Sequence, residues 1–216
     1  MSTNVMLVLD ASSTVGAKRW ASVLAGARLI KAELRGGDSM SVVTFNDRVS
    51  VAKFEDSHTS KIELLEGTKP GGGARLYDAV AVALHVASKQ HSTSMDSGMP
   101  CITHVLVLTS SMDAGSAFDL DALKDILKDT NKRPHFEVTF TGLGLSGQPQ
   151  LSLRSLGMVG DSDIKLQELN GNSVDSVFKA VVSLLRAKRS IRSGTQDGAR
   201  HAFFNLMRSL AVHGAD

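Results

Sequence analysis

The chain has 216 residues, of which 42% are hydrophobic and 21% charged, with a net charge of +2. That balance is ordinary for a soluble globular domain and argues against membrane-embedded and disordered classes. A single domain of this length buries roughly 70% of the surface its unfolded chain exposes. Cys101 is the one cysteine, so no intramolecular disulfide is expected. The N-terminus also lacks a basic stretch followed by a long apolar core, and the expectation is an intracellular, cytoplasmic protein or a domain of a larger one.

In chain order, Val5–Leu9 is a short continuous apolar run, as expected of a central strand covered on both faces. It delivers Asp10, Ser12 and Thr14, a carboxylate and two hydroxyls at alternate positions, into a tight loop. Trp20, Val23, Leu24, Ala27, Ile30 and Leu34 then recur at helical spacing. Met40–Phe45 and Val49–Phe54 are separated by three residues, a distance that permits only a hairpin, so one strand runs antiparallel at an edge. Leu76, Ala79, Val80, Ala83, Leu84 and Ala87 mark a second helix, the most apolar of the set. The polar stretch His91–Pro100 reads as a mobile loop at the end of the sheet away from Asp10. Ile102–Leu108 is a further buried strand, Leu120, Leu123 and Leu127 a third helix, Phe136–Thr141 a strand and Ile164–Leu169 the last. A fourth helix carries Val174, Val177, Phe178, Val181, Leu184 and Leu185, capped by Asn172 or Ser173. Alternating strands and helices predict an α/β fold with a doubly wound, mostly parallel six-stranded sheet, one antiparallel edge strand and helices on both faces. Ligands of such sheets gather at the loops leaving the carboxyl ends of the strands.

Several motifs stand in order along this framework. They are Asp10-Ala11-Ser12-Ser13-Thr14, the strand Ser41–Phe45 with its exit Asn46-Asp47, the turn Pro70-Gly71-Gly72-Gly73-Ala74-Arg75, and Val105–Leu108 with Thr109-Ser110-Ser111-Met112-Asp113. Together they resemble the von Willebrand factor type A domain, a Rossmann-like fold, over residues 1–190. The resemblance implies a protein-interaction module and not an enzyme. It also implies a site holding Mg²⁺ or Mn²⁺ through oxygen ligands from three loops, with one position completed by a partner's carboxylate. Hard octahedral ions suit hydroxyls, carboxylates and retained waters. Asp10, Ser12 and Thr14 match the first loop of that site. In the second loop Ala74 replaces the family's threonine, and in the third Ser110 replaces its aspartate. One ligand and about one negative charge are lost, so the site is expected to be weakened or lost. Ser110 through its hydroxyl, or Asp113 by swinging in, are the conceivable rescues. Without an ion, Asp10, Ser12 and Thr14 organise the loop by bonding backbone amides.

Gly72, Gly73 and Arg75, at the start of a helix, form a candidate anion cradle for a partner's acid group. Gly142–Gly147 fits a dinucleotide fingerprint by letter and keeps open the alternative of a nucleotide-binding protein or enzyme. Its place after a late strand, with Pro149 following, favours an ordinary loop. Cys101 and His104 are three apart in a strand, on opposite faces, and the seven histidines show no metal-ligand spacing. From Arg186 onward six Arg and Lys face two Asp, a net charge of +4. Residues 191–216 read as a basic linker and an amphipathic C-terminal helix, with Ala199, Ala202, Phe203, Leu206, Met207 and Leu210 on one face. Cations at the end of the fourth helix are explained by its dipole. With no stacking platform for bases, a nucleic-acid partner is not expected, and neither is membrane insertion. The expected partners are proteins, bound at the carboxyl edge of the sheet or through the C-terminal helix.

Overall fold

A computed structural model describes residues 2–54, 63–98, 101–145, 153, 155–156, 165–169 and 174–190. Strands β1 (Ser2–Asp10), β2 (Ser39–Phe45), β3 (Val49–Phe54), β4 (Cys101–Thr109), β5 (Phe136–Leu143) and β6 (Lys165–Leu169) hydrogen-bond in the order β3-β2-β1-β4-β5-β6. All neighbours are parallel except β2 and β3. Their hairpin places Phe45 opposite Val49, and the Asn46 amide donates to the Arg48 carbonyl. Helices α1 (Gly16–Glu33), α2 (Glu63–Glu66), α3 (Leu76–Asp96) and α4 (Leu120–Asn131) lie in the connections, and α5 (Val174–Ser190) follows β6. The chain is thus an α/β molecule with a mostly parallel sheet. The expected cap at Asn172 or Ser173, the loop from Ser146 on, and the C-terminal helix of 197–212 lie outside the described residues.

The side-chain alternation of the strands sorts the core into two layers. Val5, Leu7 and Leu9 of β1, with Leu106 and Leu108 of β4, pack under α1 and α5; Met6 and Val8, with Val105 and Val107, pack under α3 and α4. Each fully buried side chain of this kind contributes roughly 1.5–3 kcal/mol. The ring of Phe178 on α5 lies on the backbone of α1 at Gly26, where a Cβ would stand 2.0 Å from its Cδ2. Lower down, Arg186 of α5 pairs with Glu33.

The helix starts explain what orients the loops above them. Asp119 caps α4 by accepting from the Ala122 amide at 2.8 Å. No side chain of its own loop caps α3. Its orphan amides are met from the β4–α4 loop instead: Tyr77 N donates to Asp113 Oδ1 at 2.9 Å and Asp78 N to Ser116 Oγ at 3.1 Å.

The polar stretch after His91 differs from expectation. Helix α3 continues to Asp96, ending at Gly98 with φ of +73°, and His91 is buried, its Nδ1 3.0 Å from Thr103 Oγ1 on β4. The sequence Ser92-Thr93-Ser94 hides the helical period: Ser92 Oγ accepts from Arg133 Nη1 at 3.3 Å, and Thr93 Oγ1 back-bonds to the Lys89 carbonyl.

Candidate cation and partner site

Parallel pairing of β1 with β4 sets Leu9 beside Leu108, so Asp10 and the segment Thr109–Ser111 leave the sheet side by side. Asp10 is almost fully buried. Its Oδ1 accepts from the Ser12 amide at 2.8 Å. Its Oδ2 accepts from the Ser110 amide at 2.8 Å and Ser111 Oγ at 2.7 Å, with Ser110 Oγ at 3.2 Å. Thr109 Oγ1 lies 3.2 Å from that oxygen and 3.0 Å from the Ser111 carbonyl, and its single proton serves one or the other.

Above the carboxylate the hydroxyls touch one another. Ser12 Oγ is 2.8 Å from Thr14 Oγ1, Thr14 Oγ1 is 2.9 Å from Ser110 Oγ, and Ser12 Oγ is 3.4 Å from Ser111 Oγ. Four residues expected at the site, Asp10, Ser12, Thr14 and Ser110, are therefore brought together. Ser111 is a fifth member that the sequence reading missed; its signal was a second hydroxyl directly after Ser110 at a strand exit.

The glycine turn closes on this cluster through the main chain. Ala11 N donates to the Phe45 carbonyl, Gly71 N to the Ala11 carbonyl, and Ser13 N to the Gly72 carbonyl. Arg75 N donates to the Asn46 carbonyl, and Ala114 N to the Ala74 carbonyl at 2.6 Å. Gly72 has φ of +76°, and a Cβ there would fall 1.8 Å from Asp47 Oδ2; glycine is required on both counts. Asp47 Oδ1 accepts from the Gly73 amide at 2.7 Å.

Carboxylates of the chain already engage the anion-cradle candidates. Asp47 occupies the Gly73 amide, and Arg75 Nη2 is bound to Asp78 Oδ2 at 2.6 Å. Asp78 Oδ1 also accepts from the Ala117 and Phe118 amides at 2.9 and 3.0 Å. Asp113, the conceivable rescue ligand, accepts from Tyr77 N and from Ser116 Oγ at 2.5 Å. Asp47 and Asp78 carry these loops, yet neither stood out in the sequence, since an aspartate at a strand exit or in a first helical turn is commonplace.

Residues 5–111 match the family model of the von Willebrand factor type A domain. The chain contains a von Willebrand factor type A domain. Solved structures agree in fold. BatB from Bacteroides thetaiotaomicron is 16% identical with a TM-score of 0.60, over 87% of this chain and 98% of that one. A type A domain protein from Catenulispora acidiphila is 13% identical with a TM-score of 0.64, over 85% of this chain and 42% of that one. The type A domain of the type V pili tip protein Mfa5 from Porphyromonas gingivalis is 13% identical with a TM-score of 0.59, over 89% and 97%. No curated protein sequence matches the chain.

Type A domains are mostly non-enzymatic interaction modules, and many bind Mg²⁺ or Mn²⁺ at this cluster. The donor chemistry of this type A domain meets that demand only in part. One carboxylate and three or four hydroxyls converge, but the Ala74 methyl is buried and offers no oxygen. Both Asp10 oxygens already accept from the chain. Among the described residues no group of three or more His, Cys, Asp or Glu side chains is placed to hold a metal. A hard cation would depend on hydroxyls and water for most of its shell, a composition that favours weak binding. Among the described residues no helix is long and apolar enough to cross a membrane.

Proposed function

We propose that this type A domain is a non-catalytic, intracellular protein-interaction module whose cation site is weakened or lost. One observation carries the reading: Asp10, the sole carboxylate of the cluster, is taken up by the Ser12 and Ser110 amides and the Ser111 hydroxyl. A carboxylate so engaged organises the loops without an ion. Partners bind at the carboxyl edge of the sheet, around Ser12, Thr14, Ser110 and the exposed Met112, or through the C-terminal extension 191–216.

The convergence of Ser12, Thr14 and Ser110 hydroxyls supports a second reading, Mg²⁺- or Mn²⁺-dependent partner binding. When bound, the ion would supply an electrophilic position for a partner's carboxylate, held by Asp10 with those hydroxyls. Calorimetric titration of Mg²⁺ and Mn²⁺ into metal-stripped protein, with Asp10→Ala as control, separates the two. The first reading expects no binding tighter than about 1 mM. Tighter binding that disappears in the variant overturns it in favour of the second.

A further inference from the structure

At the amino edge of the sheet the chain turns from α4 into β5 through Lys132, Arg133, Pro134 and His135, and three local costs meet there. His135 has φ of +60°, the left-handed region in which a Cβ is crowded. Arg133 Nε is buried with no acceptor, which penalises a charged donor. The third is His91 of α3, a titratable ring in the core that stands edge-on to Phe136, with centroids 5.7 Å apart and planes at 71°. Costs gathered in one short segment mark a place that opens ahead of the rest of a structure.

The bonds that hold this corner to α3 and β4 converge on His91. Arg133 Nη1 donates to Ser92 Oγ at 3.3 Å, and Thr103 N donates to the His135 carbonyl at 2.9 Å. His91 bonds the Pro134 backbone, and its Nδ1 lies 3.0 Å from Thr103 Oγ1. A proline offers a carbonyl and no N–H. The single proton of the neutral ring therefore faces Pro134, and the Nδ1 lone pair takes the Thr103 hydroxyl proton. Both nitrogens are satisfied.

A second proton has no such place. It would sit on Nδ1 against the Thr103 oxygen, and the hydroxyl would have to turn its own proton away. From β4 and β5 the ring meets Thr103 and Phe136, while His104 and Glu137 of those strands pair on the opposite face of the sheet. Helix α4 keeps Asp129 in an exposed pair with Lys132. The corner brings Arg133 and His135, whose charges oppose a cation.

We propose that His91 is a proton-sensitive latch: neutral, it holds the corner Arg133–His135 to α3 and β4, and protonated, it leaves its seat and lets the corner and the last turn of α3 open while the sheet stays folded. Arg133 also lines the cavity between α3 and α4, with Ser88 and Thr130, at the end away from Phe118. Opening the latch therefore opens that end of the cavity. The latch is independent of the cation site.

Amide exchange of the full chain, followed by NMR and corrected for the intrinsic rate, tests this. An open His91 titrates near its ordinary pKa of about 6.5, so the opening constant should rise roughly two- to tenfold between pH 7.5 and 5.5. The Thr103 and Ser97 amides should follow that rise at rates that about 1 M urea leaves unchanged, whereas exchange of Leu7 and Val107 should depend on urea. His91→Gln should flatten the response. His135→Asn, which removes the neighbouring ring and tolerates positive φ, should keep it. Should His91→Gln fail to fold, the ring titration of the unaltered chain takes its place, and its midpoint must coincide with that of the Thr103 amide shift. A rise below twofold overturns the proposal, as does one that carries the urea dependence of Leu7, survives His91→Gln, or disappears in His135→Asn. Two midpoints that differ overturn it as well.

Discussion

Replacing Gly26 by Ala should destabilise the domain, against the ordinary direction of that substitution in a helix. Within a helix Gly→Ala is worth about 1 kcal/mol in favour of alanine. Here the added methyl would lie 2.0, 2.2 and 2.6 Å from Cδ2, Cγ and Cε2 of Phe178. Carbon atoms rest at about 3.5–4.0 Å, so the ring or the whole of α5 must shift by about 1.5 Å. Phe178 has no exposed surface and sits among Val23, Ala27 and Val181 in the same core layer, so the strain has no route to solvent. Overpacking costs typically 1–3 kcal/mol, and full eviction of the ring approaches the 3–5 kcal/mol of a Phe→Ala change. A clash this deep sits between those two cases, at a cost of about 2–4 kcal/mol, and after the helix gain the net loss comes to about 1–3 kcal/mol. Urea unfolding followed by circular dichroism reads it directly as a lowered midpoint at constant slope. The decisive control is Gly26→Ala in a Phe178→Ala background, where the clash is gone and the alanine should stabilise by about 1 kcal/mol. A Gly26→Ala protein as stable as the parent, or a penalty that persists without the Phe178 ring, would refute the packing of α5 on α1.

Three further outcomes are expected. Asp10→Ala, in chelator, should lose about 2–4 kcal/mol in urea unfolding, because buried donors of Ser12, Ser110 and Ser111 are left without an acceptor; a loss under about 0.5 kcal/mol would make Asp10 a ligand and nothing more. Asp78→Ala should accelerate amide exchange of Ala117 and Phe118 by at least tenfold while Ala122, capped by Asp119, is unaffected, as read by NMR. Burial, then the nearby charges of Arg133 and His135, push the His91 imidazole below its ordinary range, against a hydrogen bond with the Pro134 backbone. The unfolded chain then binds a proton more readily than the folded one, so stability should be full above the unfolded pKa of about 6.5 and fall as pH drops toward the lowered folded value. Unfolding midpoints between pH 7.5 and 5.5 check this, and His91→Gln should flatten the profile.

Much of this architecture was legible in periodicity alone. The unbroken apolar run of β1 and the three-residue gap between β2 and β3 leave little choice of topology, and Leu76 to Ala87 declares α3. What periodicity hid was polar burial. His91 lies in the core because Thr103 satisfies it, a partner twelve residues away that no local pattern announces. The same holds for the site. Asp10, Ser12, Thr14 and Ser110 could be gathered from their strand exits. The work of Asp47, Asp78 and Asp113 depends on amides brought from other loops, and backbone donors carry no letter in the sequence. That is why Asp113 read as a spare ligand, whereas it serves as the missing cap of α3.

The main-chain bonds joining Ala11, Gly71, Gly72, Ala74 and Ala114 have a consequence for how such a domain changes over time. The outline of the crown is drawn by peptide groups, which every residue but proline supplies in full. Side chains above them, such as those of Ala74 and Ser110, can then be exchanged while the loops keep their form. A recognition surface built this way can outlive its original chemistry and be re-addressed to a new partner by substitutions that leave the backbone unaware of the difference.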